Sequence, residues 1–470
     1  MRKAREESRT RSYLVGLLGA TALILAGCNG SEDSSPGEET LPDGNSPAAI
    51  AAASADNYDD NTYGLITGST LASWIDDWES NRPAGITGKL VILQQGEGPE
   101  GFEYIQHDDT NVFTYAVDTD TWKQTRSNGV IQTVSMVPDG RVMDTLLSQY
   151  DIDPSEDMIV CAQGKNKMVM HSGRCWYAFR YWGTPKEHLA QLQGGNEWNG
   201  RAGGDLEDYF DADASADVWN LNAASVADLP EINFKLQATL EDMMAVVTDS
   251  DINDLNDGAF IFDARNPAEY DGTDFKAGAA QGHPNGALLL PYADMLVDDP
   301  NDQRFKSKAE LEALMSGQTA GFTDATYQPV GAGQAYQPGD TVYTYCQTTY
   351  RAMVTGFATG AILGYPTRFY DGAMYEWHAM TNAVDSSGNE LLPVYSPWRT
   401  DRNIYSFYQL QGDSALIDPR TIVNPDAETA NAIILEDYAY KGYVEEDSTS
   451  TDSGSDDSGD GGSAPIPNAC

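Results

Sequence analysis

The chain has 470 residues, with 28 Lys and Arg against 72 Asp and Glu and a formal charge of -44. A surface of that sign repels a phosphate backbone, which excludes nucleic-acid binding. With 41% hydrophobic and 10% aromatic residues it is no disordered acid throughout, and the length suits about two or three domains.

Residues 1–27 read as an export signal. Arg2, Lys3, Arg5, Arg9 and Arg11 make a basic start despite Glu6 and Glu7, and the apolar run from Tyr13 to Ala26 is short for a membrane span. The run ends in Leu25-Ala26-Gly27-Cys28, which resembles the bacterial lipobox. That resemblance implies cleavage before Cys28, a lipid on Cys28 and a membrane anchor. Because Asn29 rather than Asp follows, it also implies the outer membrane, facing the periplasm or the exterior. An ordinary signal peptide with a chance cysteine is the alternative. Without residues 1–27 the chain keeps 23 basic against 70 acidic residues, a charge of -47, so the acidity belongs to the exported part. Residues 28–62 read as an acidic tether and 446–470 as a disordered acidic tail. The remaining charge is expected on folded surfaces, where a solvated acid coat maintains solubility.

The body contains two segments with the same order of signals. In the first, residues 63–200, the apolar runs at 89–93 (KLVIL) and 157–160 (DMIV) predict buried strands. The aromatic-rich stretch from Arg174 to Trp182 predicts a helix closed by Gly183, and GGNEW follows at 194–198. An acidic, Ala/Asp-rich linker covers 201–230. In the second segment, residues 231–400, AFIFD (259–263) and TVYTY (341–345) predict strands, a small-residue helix runs from Arg351 to Leu363 before Gly364, and DGAMYEW (371–377) parallels GGNEW. Residues 401–445 form a C-terminal extension. Strands alternating with helical stretches predict an α/β fold of two domains, each a mainly parallel sheet flanked by helices.

Four stretches in order, DARNPAEYDG (263–272), GHPNGALLLP (282–291), YCQTTYRA (345–352) and GYPTRFYDGAMYEW (364–377), resemble the landmarks of a rhodanese domain. The resemblance is strong over about 231–395 and weak over about 63–200. It implies two rhodanese-like domains, as in the tandem-domain sulfurtransferases whose first domain is catalytically silent.

Cys346 ends a predicted strand and opens a loop into a helix. A thiol there faces backbone N–H groups and the positive end of the helix, which stabilise its thiolate; Arg351 adds a cation. Such a thiolate can take a sulfane sulfur as a persulfide and deliver it to a second nucleophile. The resemblance implies Cys346 as the nucleophile, Gln347, Thr348, Thr349, Tyr350, Arg351 and Arg265 around a small anionic donor of thiosulfate or 3-mercaptopyruvate type, and a thiol or cyanide acceptor. No metal or organic cofactor is expected. Four residues separate Cys346 from Arg351, whereas the related phosphatase and arsenate-reductase loops have five, so the tighter loop favours sulfur transfer. Asp263, His283 and Trp377 are expected as structural supports, and Arg265 reads either as a support paired with Asp263, fixing the active loop, or as a contact to the donor. The CQTTYR loop has no base directly after the cysteine, and Glu269 stands where mammalian-type relatives carry Arg. These departures motivate an alternative, a non-enzymatic surface lipoprotein that binds a partner or a chalcogen oxyanion in an envelope redox complex.

The first segment offers no nucleophile: counting from matching landmarks places Gln163 or Lys165 opposite Cys346. Cys161 and Cys175, 14 residues apart, can pair as a disulfide in an oxidising compartment or stay as two thiols. Cys470 has no inferred role. GEGPEG (96–101) follows a strand but leads into an extended stretch, which excludes a dinucleotide site. DSDINDLNDG (249–258) fails the register of a calcium loop, and the five histidines show no metal-ligand spacing.

Overall fold

A computed structural model describes residues 41–98, 100–101, 103–129, 131–165, 168–211, 213–220, 224–248, 258–274, 282–298, 302–324, 328–381, 398 and 431–443. Cys28, Cys470, the signal, the acidic tail, the calcium-like cluster up to 257 and most of the 401–445 extension lie outside these residues.

Two five-stranded sheets are present. The first comprises β1 (Gly64–Ile66), β2 (Leu90–Gln95), β3 (Val112–Ala116), β6 (Met158–Gln163) and β7 (Leu189–Leu192), with a hairpin of β4 (Gln124–Ser127) and β5 (Gln132–Met136) inserted after β3. Its order is β1-β7-β6-β2-β3, all pairs parallel. The second comprises β8 (Gln237–Ala238), β9 (Ala259–Asp263), β10 (Leu288–Leu289), β11 (Thr341–Tyr345) and β12 (Thr367–Tyr370), ordered β8-β12-β11-β9-β10 and also parallel throughout. Taken in chain order, both sheets run first, fifth, fourth, second, third, so the two segments share one topology. Every residue of β2 and β6 is buried, as a parallel strand covered on both faces requires.

The two halves meet through α3 (Val169–Trp182) and α8 (Tyr350–Phe357), the helices that follow the central strands β6 and β11. Helix α3 is buried almost all round and ends at Gly183 in the left-handed conformation, φ 104°. Gly173 permits the close approach: a Cβ there would lie 2.9 Å from the Met353 Cβ. Trp176 packs edge-on against Phe357 at 5.0 Å, and Tyr177 lies 4.8 Å from Phe369. Within this apolar contact Arg174 forms a fully buried ion pair with Asp371, and its Nε donates to the Trp122 carbonyl at 3.0 Å. Asp371 Oδ2 also accepts from the Val137 N–H at 2.7 Å. A disulfide joins Cys161 on β6 to Cys175 on α3, and so ties the helix carrying Arg174 to the sheet beneath it.

Segments read from sequence as a tether and a linker are packed into this body from Leu41 onward. Asn45 N–H donates to Ile232 O at 2.8 Å, Ile50 is in the core, and Ser54 N–H donates to Ile362 O at 2.9 Å. In the 201–230 stretch Leu206 is buried, Phe210–Asp211 pairs with Tyr104–Ile105, and Ser215 exchanges backbone and side-chain hydrogen bonds with Thr114. Hydrophobic anchors spaced between acids are enough to dock such segments, which composition alone hides. Helix α10 (Ala432–Tyr440) returns to the first half, where Asp437 meets Arg126 at 2.7 Å and accepts from Tyr181 Oη at 2.5 Å. Among the described residues, no helix is long and apolar enough to cross a membrane.

Helix α9 (Ala373–Thr381) faces the β4–β5 hairpin of the first half. Its buried Glu376 accepts from Asn128 Nδ2 at 2.5 Å and from Thr133 Oγ1 at 3.3 Å, and burial pushes its carboxyl from 4.5 up to about 7. The folded protein therefore holds this proton to higher pH than the unfolded chain does. Its stabilising share is complete below about pH 4.5 and is lost as pH rises through about 7. Urea titrations across this window should show a downward slope of stability with pH that Glu376→Gln reduces. Asp371→Asn, which leaves Arg174 buried without a counter-charge, should lower unfolding free energy by about 3–5 kcal/mol in the same assay.

Candidate active site

Strand β11 ends at Tyr345, paired in register with Asp263 of β9, and Cys346 is the next residue. It is the one free cysteine among the described residues and is buried in a small cluster with Ala264 and Ala352, against which the half-buried Tyr292 packs. The loop from 346 to 349 is held from below. The carbonyls of Cys346 and Gln347 accept from the N–H groups of Met374 and Tyr375, both at 3.1 Å, at the start of α9. Thr349 sits at φ 62°, a left-handed conformation costly for a β-branched residue, on the order of 1–3 kcal/mol. Its Oγ1 holds that conformation by donating to the carbonyls of Tyr370 (3.0 Å) and Asp371 (2.7 Å). Asp371 thus anchors the loop through its backbone while its side chain holds the first half.

Among the described residues, none of the backbone N–H groups from Gln347 to Ala352 donates to a protein acceptor. These uncommitted donors lie at the start of α8, the end of a helix that favours a negative charge. Gln347 is 6% exposed, and neither polar atom of its carboxamide has a partner among the described residues. Thr348 is half-exposed at the rim.

Arg265, read either as a support with Asp263 or as a donor contact, lies inside the domain. It is 0% exposed, pairs bidentately with Asp263 (Nη2 to Oδ2 2.6 Å, Nε to Oδ1 3.0 Å) and donates to Gly282 O at 2.6 Å, leaving Nη1 buried without a partner among the described residues. Tyr345 Oη completes the Asp263 carboxylate at 2.7 Å. Because the Asp-x-Arg spacing lets the guanidinium fold back on its own strand end, Arg265 works with Asp263 as a support. His283 is stacked on Tyr270, their ring centroids 3.7 Å apart, and its Nδ1 lies 2.8 Å from the Tyr270 carbonyl. Burial lowers its pKa to about 4, so at neutral pH the ring is uncharged. Trp377 is buried edge-on to Tyr370 at 6.4 Å, a core position behind the loop.

Arg351 does reach the Cys346 neighbourhood but is already engaged. Its Nη1 and Nη2 meet the two oxygens of Glu269 at 2.5 and 2.7 Å, and Glu269 is fully buried. Burial alone would lower the Arg351 pKa; the hydrogen bonds to Glu269 and the charges of Cys346 and Glu269 overcome it and raise the value. Glu269 is held in turn at the start of a short helix, α6 (Pro267–Tyr270), by a reciprocal cap with Asn266. The free cation expected beside Cys346 is therefore half of a neutral pair with Glu269, the residue that stands where mammalian-type relatives carry Arg.

The first half contributes part of the rim. Tyr350 Oη donates to Thr119 O at 3.2 Å, its ring lies 5.6 Å from that of His171, and Lys123 Nζ stands 5.8 Å over it. Tyr292 Oη approaches Met168 Sδ at 3.9 Å. Sequence signals neither Tyr292 nor Met168, although Tyr292 directly follows the 282–291 landmark.

In the first half Gln163 pairs with Gln95 as Tyr345 pairs with Asp263, so Gly164 stands where Cys346 stands, between the two positions that the sequence count gives, Gln163 and Lys165. A Cβ at Gly164 would lie 2.1 Å from the Gly96 carbonyl carbon, and Gly164 and Lys165 N–H donate to Gln95 O (2.9 Å) and Glu97 O (2.7 Å). The backbone at 96–97 fills the place of the second half's cysteine side chain.

No curated protein matches this chain. Among solved structures, Tum1 from Saccharomyces cerevisiae is 17% identical, covering 67% of this chain and 95% of its own, with a TM-score of 0.48. SseA from Escherichia coli, described with the rhodanese fold and mechanism of 3-mercaptopyruvate sulfotransferases, is 17% identical over 66% of this chain and 98% of its own, with a TM-score of 0.44. The family model of the rhodanese-like domain matches residues 248–380, the segment that carries Cys346 and its loop.

Proposed function

We propose that this protein is a rhodanese-type sulfurtransferase that moves a sulfane sulfur through a Cys346 persulfide to a thiol or cyanide acceptor. The observation that carries this reading is the free, buried Cys346 thiol at a strand end, followed by a loop and helix start whose backbone N–H groups are uncommitted among the described residues. Those donors stabilise the thiolate that attacks the sulfane sulfur and then the persulfide anion that results. Asp263, Arg265 and Tyr345 hold the strand end, and Thr349 fixes the turn. The family match over 248–380 supports the same chemistry. A small anionic donor of the thiosulfate or 3-mercaptopyruvate type belongs to this reading through the resemblance alone, since both arginines expected to receive it are paired with carboxylates.

The same proposal places the protein outside the cytoplasm, anchored at the outer membrane through lipid on Cys28. The lipobox-like end of the signal and the Cys161–Cys175 disulfide, a bond that persists in oxidising compartments, support that location.

Binding without catalysis, within an envelope complex, is the alternative motivated by the unusual loop. Incubation of the full chain with sulfane-sulfur donors, followed by mass spectrometry of the Cys346 peptide, separates the two. Sulfur transfer requires one added sulfur atom at Cys346, removable by cyanide, and complete loss of turnover in Cys346→Ser. Partner capture that is unchanged in Cys346→Ser, with no added sulfur in the parent chain, would favour binding instead.

A further inference from the structure

The hydrogen bonds that hold residues 346–349 from below come from one short segment of the second half, residues 370–375. Met374 and Tyr375 donate their N–H groups to the carbonyls of Cys346 and Gln347, and the carbonyls of Tyr370 and Asp371 receive Thr349 Oγ1. Glu376 follows directly in the first turn of α9, and its side chain joins that turn to the first half. The carboxyl is 2% exposed and curls back over Gly372, where a Cβ would lie 2.1 Å from its Oε2. Its Oε1 accepts from Asn128 Nδ2 and Thr133 Oγ1 on the β4–β5 hairpin. The hairpin is fixed in turn by α10, since Asn128 O accepts from the Ala432 N–H at 3.1 Å and Arg126 pairs with Asp437.

The surroundings of this carboxyl suit its protonated form. Tyr370 on β12 contributes a neutral phenol, and Asp371 before α9 contributes a negative charge whose partner, Arg174 on α3, is already bound to it. His378, farther along α9, is buried and uncharged, its pKa lowered to about 3. A small cavity beside Glu376 is lined by Gln237, Thr239 and Asn431, all uncharged, and Asn431 also bonds to Glu241. Among the described residues no cation pairs with Glu376.

Resting on the sulfur-transfer reading above, we infer that Glu376 is a positioning residue for Cys346: as a neutral acid it clamps the start of α9 to the hairpin, and its ionisation loosens the cysteine loop. When the proton passes to water, a second negative charge is left beside Asp371 in a buried site that has no cation to spare. Sulfur transfer therefore weakens on the alkaline side. A thiol acting alone gives the opposite trend, a rate that rises with pH as thiolate forms and then levels off.

Two measurements on the full chain, each made from about pH 6 to about pH 8, test the clamp. With the carboxyl titrating at about 7, the protonated fraction falls about tenfold across that range and the ionised fraction rises about as much. Hydrogen exchange of the peptide spanning residues 370–377, corrected for the intrinsic effect of pH, should lose about tenfold in protection. Glu376→Gln, a side chain of the same shape that cannot ionise, should keep the protection level. Sulfur loading of Cys346 from thiosulfate, read by mass, should fall about tenfold in the parent relative to Glu376→Gln over the same range. The exchange profile of the parent needs no variant, so it remains decisive if Glu376→Gln does not fold. Superimposable loading profiles of the parent and the folded variant, or exchange at 370–377 without a step near pH 7, would overturn the inference. No added sulfur at any pH, beside an exchange step that Glu376→Gln removes, would overturn the sulfur-transfer reading and leave the clamp supported.

Discussion

The buried Arg174–Asp371 pair is the contact on which the arrangement depends. Two charges removed from water are costly unless every lone pair and proton finds a partner. Here they do so by recruiting groups from three places: the Trp122 carbonyl and the Val137 N–H from the first half, and the guanidinium from a helix tied to its sheet by Cys161–Cys175. A hydrophobic contact alone would let α3 and α8 slide along one another. The ion pair admits one register, and that register places the Asp371 carbonyl under Thr349. The geometry of the cysteine loop is thereby coupled to the docking of a half that carries no nucleophile of its own.

The electrostatics of the site follow a related pattern. Both Arg265 and Arg351 are paired with buried carboxylates, and each carboxylate also serves the backbone, since Asp263 accepts from the Arg265 N–H and Glu269 caps α6. The charges near the loop hold the chain in place. At the sulfur the Arg351 charge is felt through a guanidinium that Glu269 already holds in place.

Much of this is legible in the chain. The apolar runs at 89–93 and 341–345 announce doubly covered strands, and the repeated order of signals announces two sheets of one topology. Cys346 is marked by its place between a strand and a small-residue helix. What sequence conceals is pairing across distance. Arg351 reads as a free cation because its partner Glu269 is 82 residues away, whereas the Asp263–Arg265 pair, two residues apart, is legible as a support. The packed stretches at 41–62 and 201–230 are masked by acids, since a few anchors such as Ile50 and Leu206 weigh little in composition but determine where the chain lies. The rim residues Tyr292 and Met168 come from different halves, and only the docking of α3 on α8 brings them together.

Gly164 gives the two halves different futures. A duplicated domain is usually pictured as one mutation away from regaining a lost active site. At Gly164 that route is closed by backbone rather than by side-chain identity, because any side chain would collide with the chain at 96–97. Restoring a thiol there would require the segment after β2 to be rebuilt, together with the hydrogen bonds that hold it to Gly164 and Lys165. The asymmetry between the halves is therefore one of backbone: where the second half presents its cysteine, the first has close main-chain packing that leaves no room for a side chain.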